Sequence, residues 1–517
     1  MTQAESLPLL PKPIRAERRE GSYRVDATTQ LSIQTSGSED VRRLSSAARS
    51  TLNLPLPLAQ GSAGIRIEVD AAQENALGRE GYRLSVTAQG VCVISAQPAG
   101  AFYAIQTLRQ LLPADLSAGS SGWQIPCVEI EDRPRFAWRG MMLDCCRHFW
   151  PLSFVKRFID LIAMHRMNSF HWHLTDDQGW RIEIRKYPRL TEIGAWRRES
   201  LVGHLKDEPR RFDGQRHGGF YTQEQIREIV AYAADRYINV MPEIEMPGHA
   251  RAAIAAYPEL GCVDYPLEPW TLWGISGENT VNADDSTIRF FQDVLAEVVE
   301  LFPSKFIHIG GDEANKDFWV NNPRIQSRIR ELGLKDEHEL QAWFIRQMDE
   351  FLTDRGRRLV GWDEIREGGL AAGAVVMSWR GPEGAIEGAR SGHDVVMAHT
   401  KYTYLDHYQG PPETEPLAIH GFTPLEKAYA FDPIPPELTA EQARHILGLQ
   451  AQLWTEYIAE PSHAEYMIFP RACALSEVMW SQPEGRDFGE FRQRLVPHLA
   501  RLKAQNINYR PLDPYPA

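Results

Sequence analysis

Residues 305–313 read Lys305-Phe306-Ile307-His308-Ile309-Gly310-Gly311-Asp312-Glu313. The β-branched run from Lys305 to Ile309 predicts a short buried strand. Gly310 and Gly311 end it, and paired glycines let the backbone turn sharply and let a ligand approach closely. Asp312 and Glu313 then stand side by side at the mouth of that strand. Adjacent carboxylates repel and lose solvation, so at least one pKa is expected to rise. A carboxylic acid still protonated near neutral pH is what a general acid needs. Acidic residues also favour the first turn of a helix, so this motif alone leaves a cap and a catalyst equally open.

Strand and helix signals alternate on both sides of this stretch. Candidate strands are Arg139–Cys145, Asn168–Leu174, Ile238–Glu245, Lys305–Ile309, Arg358–Trp362, Ala374–Trp379, Asp394–Ala398 and Ile446–Trp454. Helical periodicity fills most of the gaps, as in Phe154–Met164, Thr222–Arg236, Asp285–Leu301 and Glu337–Arg355. Eight such repeats predict an α/β fold, a (β/α)8 TIM barrel, with long loops after its second and third strands. The first 134 residues differ. Ile65–Val69, Tyr82–Val86 and Val91–Ser95 read as strands, Gln89-Gly90 as a hairpin turn, and Gly100–Leu112 as a helix. The expected domains are therefore a small α+β domain over 1–134, the (β/α)8 barrel over 135–485, and a C-terminal helix and tail over 486–517 packed on the barrel. Glu131-Asp132-Arg133-Pro134 is the expected joint.

Composition narrows the function. The chain has 517 residues, 43% of them apolar, and a net charge of −13 from 56 basic and 69 acidic residues. That balance disfavours nucleic acid and anionic membrane as partners. No uncharged apolar run approaches the ~20 residues that span a bilayer. The N-terminus, Met1-Thr2-Gln3-Ala4-Glu5-Ser6, has no basic segment followed by an apolar one, so no signal peptide is expected and the cytoplasm is favoured. Cys92, Cys127, Cys145, Cys146, Cys262 and Cys473 show no metal-ligand spacing and read as reduced, mostly buried thiols. Cys145 and Cys146, neighbours on a strand, would face opposite sides.

Active sites of such barrels sit at the C-terminal ends of the strands. In this chain those ends read Asp144-Cys145-Cys146-Arg147-His148, Thr175-Asp176-Asp177, Glu245-Met246-Pro247-Gly248-His249, Asp312-Glu313, Trp362-Asp363-Glu364, Ser378-Trp379-Arg380, Tyr404-Leu405-Asp406 and Trp454-Thr455-Glu456. Ordinary strand ends carry turn residues. Carboxylates, histidines and tryptophans on one rim, with no phosphate loop, suit a sugar: the acids fix hydroxyls and the indoles stack on the ring.

With these motifs in this order, the chain resembles the β-N-acetylhexosaminidases, the family-20 glycoside hydrolases. The matching signatures are Arg139-Gly140 through Leu143-Asp144 to Arg147-His148, His171-Trp172-His173-Leu174 with Asp176-Asp177-Gln178-Gly179-Trp180, Pro247-Gly248-His249, His308 to Glu313, and Trp454-Thr455-Glu456. The resemblance spans essentially the whole chain. It implies an exo-acting, retaining enzyme that removes terminal non-reducing β-linked N-acetylglucosamine or N-acetylgalactosamine. In this family the substrate's own 2-acetamido oxygen attacks C1, giving an oxazolinium intermediate, in place of an enzyme nucleophile. The implied roles follow by position. Glu313 protonates the leaving oxygen and then activates water, and Asp312 accepts the acetamido N–H. Tyr404 donates to the acetamido oxygen, and His249 with Asp176 tunes Glu313. Trp362, Trp379 and Trp454 wall the acetamido group and sugar face. Arg147 binds the 3- and 4-hydroxyls, and Asp406 and Glu456 the 4- and 6-hydroxyls. The resemblance implies no cofactor and no metal, and an oligosaccharide as partner; oligomeric state is not legible.

Blander expectations stand beside these. Trp172 and Trp180 read as core, and His308 as a hydrogen-bonded core histidine. His171 and His173 point to one side of a strand but lack a third metal ligand of fitting spacing. Asp177 and Glu243 read equally as structural acceptors or ligands, Asp144 as a brace for Arg147, and Asp284-Asp285 as a helix cap. The Trp-rich loop 262–282, with Trp270 and Trp273, either shapes a subsite for the next sugar or packs. Glu245 stands where relatives often carry Asp. A disaccharide-releasing relative and a catalytically silent glycan-binding protein are the alternative functions.

Overall fold

The computed structural model describes residues 7–59, 61, 63–116 and 122–512. The Met1–Ser6 stretch read above for a leader lies outside these, as do the extreme ends of the first and last expected segments. The first unit is a six-stranded sheet: β1 Arg15–Val25, β2 Leu31–Gln34, β3 Ile65–Val69, β4 Tyr82–Thr87, β5 Gly90–Ser95 and β6 Trp123–Asp132. Its spatial order is β1-β6-β4-β5-β3-β2, antiparallel through β5 and parallel beyond it. Helices α1 (Ser38–Leu52) and α2 (Pro98–Leu111) accompany it. β1, β2, β6 and α1 are additions to the sequence expectation. β1 is an edge strand of charged, mostly exposed residues, so no apolar alternation marks it; charge on an edge also blocks pairing with another chain.

The barrel closes in the order β9-β10-β11-β12-β13-β14-β7-β8 and is parallel throughout. Its strands are β7 Trp138–Asp144, β8 Ser169–His173, β9 Asn239–Glu243, β10 Phe306–His308, β11 Arg358–Trp362, β12 Val375–Ser378, β13 Val395–Met397 and β14 Ile446–Leu453. Every expected barrel strand is present, with ends that differ from the expectation by at most two residues. Barrel strands are covered on both faces, which is why they read as apolar runs without alternation. The helices used below are α3 (Leu152–Met164), α4 (Gln223–Ala234), α5 (Asp285–Leu301), α6 (Glu337–Thr353), α7 (Arg471–Trp480) and α8 (Phe488–Ala504). Thr222 starts α4 through a reciprocal capping box with Gln225.

Three expectations need correction. The joint Glu131-Asp132 is the end of β6, and Asp132 is buried. It meets Arg166, just past α3, at 2.8 Å, and accepts from Trp480 Nε1 at 2.9 Å and Tyr82 at 3.0 Å. The polar letters that read as a linker are thus a buried ionic bolt between the sheet unit and the barrel. Asp284 sits at the N-cap of α5, but its side chain makes no cap bond and pairs with Arg324 instead. β7 stops at Asp144, so Cys145 and Cys146 lie past the strand, and both are buried. All six cysteines are free thiols.

Candidate active site

The C-terminal strand ends enclose a cavity of about 290 Å³. All the residues assigned above by resemblance line it: Asp312, Glu313, Tyr404, His249, Asp176, Arg147, Trp362, Trp379, Asp406, Trp454 and Glu456. The loop after β10 creates its central feature. Gly310 and Gly311 hold φ of 68° and 91°, which L side chains rarely adopt. A Cβ on Gly310 would fall 1.7 Å from Glu245 Oε2, and one on Gly311 would fall 2.5 Å from Ile365 Cγ2. The double glycine therefore lets the chain turn against a buried carboxylate and delivers Asp312 and Glu313 to the cavity. Glu313 itself has φ 44°, and His249, facing it, has φ 47°. Left-handed backbone at a non-glycine residue costs about 1–3 kcal/mol and clusters at functional sites.

Behind Glu313 runs a chain of hydrogen-bonded titratable groups. His249 Nε2 lies 3.2 Å from Glu313 and His249 Nδ1 lies 3.1 Å from Asp176. Asp176 lies 2.8 Å from His173 Nε2, and His173 Nδ1 contacts Glu243. Glu243, the last residue of β9, also meets His308 at 2.7 Å and His171 at 3.0 Å and accepts from Trp362 Nε1 at 2.8 Å. Carboxylates here only accept, so His173, flanked on both nitrogens by acids, is an imidazolium. Burial opposes its charge, but Glu243 and the groups beside it hold its pKa well above the usual histidine value. His249 is raised likewise by Asp176, against its own burial. Burial pushes Asp176 and Glu243 up, yet their cationic neighbours outweigh it and both fall well below the usual carboxylate range.

The acid pair splits in a direction opposite to the simplest expectation. Burial, together with Glu313's charge, raises Asp312 to about 7. Burial also pushes Glu313 upward, but the hydrogen bond and charge of His249 prevail and its pKa is lowered. The acid that rises is thus Asp312, and the residue facing the imidazolium is the one that ionises first. Two further acids flank Asp312. Glu245 is driven well up by burial and by Asp312, and Glu364 to about 9 by burial, Asp312 and Asp363.

The other end of the cavity is built for hydroxyls. Arg147 is held by Asp176 at 2.9 Å and Asp144 at 3.3 Å, with Glu456 3.7 Å away, and its guanidinium stands 5.0 Å over Trp454. Asp144 is indeed its brace. Asp312 Oδ1, Asp406 Oδ1 and Glu456 Oε2 are buried with no hydrogen-bond partner among the described residues. Buried acceptors without partners are costly, and they converge here where a ligand's O–H and N–H groups would meet them. Trp362 and Trp454 lie 5.9 Å apart, Tyr404 and Trp454 6.3 Å, and Trp379 stacks on Tyr404 at 6.4 Å, so apolar walls face the acids.

The remaining candidates fall elsewhere. Trp172 and Trp180 are core. Asp177 accepts from the backbone of Arg251 at 3.0 Å and of Ser276 at 3.2 Å, a loop-holding role. His308 turns Nδ1 to Glu243 at 2.7 Å, with the Gly310 backbone nitrogen 3.1 Å from the same atom, while Nε2 has no partner among the described residues. In the 262–282 loop the two tryptophans pack and do not line the cavity. Gly274 and Ile275 line the cavity, while Trp273 packs on His148 at 5.4 Å and Trp270 under Arg251 at 4.3 Å. Sequence reasoning passed over Glu364, which accepts from Trp379 Nε1 at 3.0 Å, and over Ile419 and His420 on the cavity wall. Glu364 carried a signal, its place at the end of β11; Ile419 and His420, far from any strand end, carried none.

A (β/α)8 barrel with paired carboxylates after its fourth strand and an indole-walled pocket places the chain in the class of barrel glycosidases. Residues 136–483 match the family model "Glycosyl hydrolase family 20, catalytic domain", and residues 6–133 match "Glycosyl hydrolase family 20, domain 2". The chain belongs to glycosyl hydrolase family 20. It is 44% identical over 508 residues to a beta-hexosaminidase of Porphyromonas gingivalis, covering 97% of this chain and 64% of that protein, so it spans under two thirds of that relative. Among solved structures it is similar to a GH20 exo beta-N-acetylglucosaminidase from Vibrio harveyi in complex with N-acetylglucosamine, with TM-score 0.85, 36% identity, and 98% of this chain and 78% of that one covered. The GH20 beta-N-acetylhexosaminidase of Streptomyces coelicolor A3(2) gives TM-score 0.83, 32% identity and coverage of 98% and 97%.

Proposed function

We propose that this chain is an exo-acting β-N-acetylhexosaminidase that releases a terminal, non-reducing N-acetylhexosamine with retention, through an oxazolinium intermediate formed by the substrate's own acetamide. The observation that carries this is the division of labour between two adjacent acids: Glu313 is tied to His249 at 3.2 Å, while Asp312 Oδ1 is buried without a partner. One carboxylate is wired for proton traffic and the other awaits an N–H donor. Asp312 takes the acetamido N–H and aims the carbonyl oxygen at C1. Tyr404 donates its phenol to that oxygen as charge develops, and burial with Asp406 keeps the phenol protonated. Trp362, Trp379 and Trp454 exclude water from the acetamide, which favours intramolecular attack. Glu313 gives a proton to the leaving oxygen and recovers one from the incoming water.

Arg147, Asp406 and Glu456 close the far end of the cavity against the sugar hydroxyls, and about 290 Å³ lies at the low end for ligand pockets, matching one ring and not two. The vicinity of Asp312 and Glu313 needs one proton for the reaction, carried by Glu313. In the free protein that proton belongs on Asp312. An acetamide N–H arriving at Asp312 stabilises its ionised form, so substrate binding itself moves the proton to the acid that uses it. The test compares p-nitrophenyl N-acetyl-β-glucosaminide with the plain β-glucoside. The first is cleaved and the second is not; similar rates on both would rule out acetamide participation.

A further inference from the structure

Far from the catalytic rim, three side chains from separate elements meet beneath α8. His165 follows α3, Cys473 lies in α7 and His498 in α8. All three are buried, at 2%, 0% and 1% exposure. His165 Nε2 lies 3.0 Å from His498 Nε2 and 3.4 Å from Cys473 Sγ. The tautomer of His165 is set by its other nitrogen: Nδ1 stands 2.7 Å from the Leu161 carbonyl, which can only accept. Nδ1 therefore carries the proton and Nε2 presents a lone pair to the other two groups. An imidazole whose second nitrogen donates to a backbone carbonyl is the usual orientation of a metal-ligating histidine.

We propose that His165, Cys473 and His498 form a binding site for one thiophilic metal ion of the zinc(II) or copper(I) type, which pins α8 to the barrel. The donor set, two imidazoles and a thiol, is soft and contains no carboxylate, which excludes magnesium and calcium. Bonds of about 2.0–2.1 Å to nitrogen and about 2.3 Å to sulfur place tetrahedral donors about 3.3–3.6 Å apart. The observed 3.0 and 3.4 Å lie within a few tenths of that. On binding, the thiol proton of Cys473 leaves to solvent and the metal–sulfur bond takes its place. No oxidant or reductant is required. The ion has an approach: His498 lines a cavity of about 540 Å³ between the sheet unit and the barrel, bounded by α1, α2, α3 and α8. Arg501 and Arg109 line the same cavity as His498.

The test uses the full chain, freed of metal by a chelator under reducing conditions, then dialysed against zinc(II) or, anaerobically, copper(I). One ion per chain is expected for the wild type, with a rise in Tm. Cys473→Ser and His498→Gln are expected to bind at least tenfold more weakly and to show no metal-dependent rise in Tm. Hydrolase activity without metal reports that the variants are folded. Neither ion retained by the wild type, or equal retention by wild type and both variants, would overturn the site and leave a hydrogen-bonded core trio.

Discussion

At the scale of single residues, burial and His249 act in opposite directions on two neighbouring acids. Glu313→Gln is expected to lower kcat by about 100- to 10,000-fold on aglycones that leave as poor anions, and far less on p-nitrophenolate, which needs little protonation. Equal losses across leaving groups would remove the acid role. The free-enzyme pH profile follows from the same pair. Asp312 and Glu313 share one exchangeable proton near neutrality, and Asp312 sets its loss at about 7. kcat/KM is therefore expected to fall as pH rises through about 7. In Asp312→Asn the surviving proton sits on Glu313, whose pKa is lowered, so the alkaline limb moves to lower pH as activity drops. A limb that stays in place would show that it reports another group.

At the scale of elements, the decisive segment is the end of β10. Gly310→Ala combines positive φ with a Cβ 1.7 Å from Glu245 Oε2, so backbone and carboxylate both have to move. A loss of about 2 kcal/mol or more is expected, seen as a lowered urea midpoint, together with loss of turnover. A variant of normal stability would mean the β10 turn relaxes freely. Element boundaries in the barrel were legible because doubly covered strands are short apolar runs between polar punctuation. α5 was readable to the residue, since its apolar positions repeat at helical spacing. β1 and β6 were not: one is charged along an edge, and the other carries Pro126 and ends in Asp132, letters that spell a linker when neighbours are unknown.

At the scale of the whole molecule, buried charge ties the parts together. Arg166 and Asp132 join the barrel to the sheet unit, each with a fully buried side chain. Burial still raises Asp132 above its usual value despite Arg166, so the pair is under desolvation stress. Arg166→Met strands that carboxylate and is expected to cost about 3–5 kcal/mol; calorimetry that finds no drop in Tm would refute the bolt. The chain behind Glu313 makes stability depend on pH with a definite sign. Asp176 and Glu243 are depressed, so their contribution is present above their ordinary values of 3.8 and 4.5 and is lost as pH falls below them. His173 and His249 are raised, so theirs is present below the ordinary 6.5 and is lost only as pH rises through their elevated values. Acid unfolding is expected to steepen below about pH 4.5 in the wild type and to flatten in Glu243→Gln, followed by circular dichroism.

The order of apolar runs and the polar residues that end them were enough to determine the barrel and the rim from which Asp312, Glu313, Tyr404 and the three indoles project. Both are local properties, set by periodicity and by position along a strand. Only the tertiary structure decided which acid of the pair is raised, that Glu243 at the end of β9 reaches Glu313 through two histidines and Asp176, and that Asp132 is a bolt and not a joint. Those outcomes depend on burial and on charges brought within hydrogen-bond reach from distant parts of the chain, and neither quantity exists until the chain has folded.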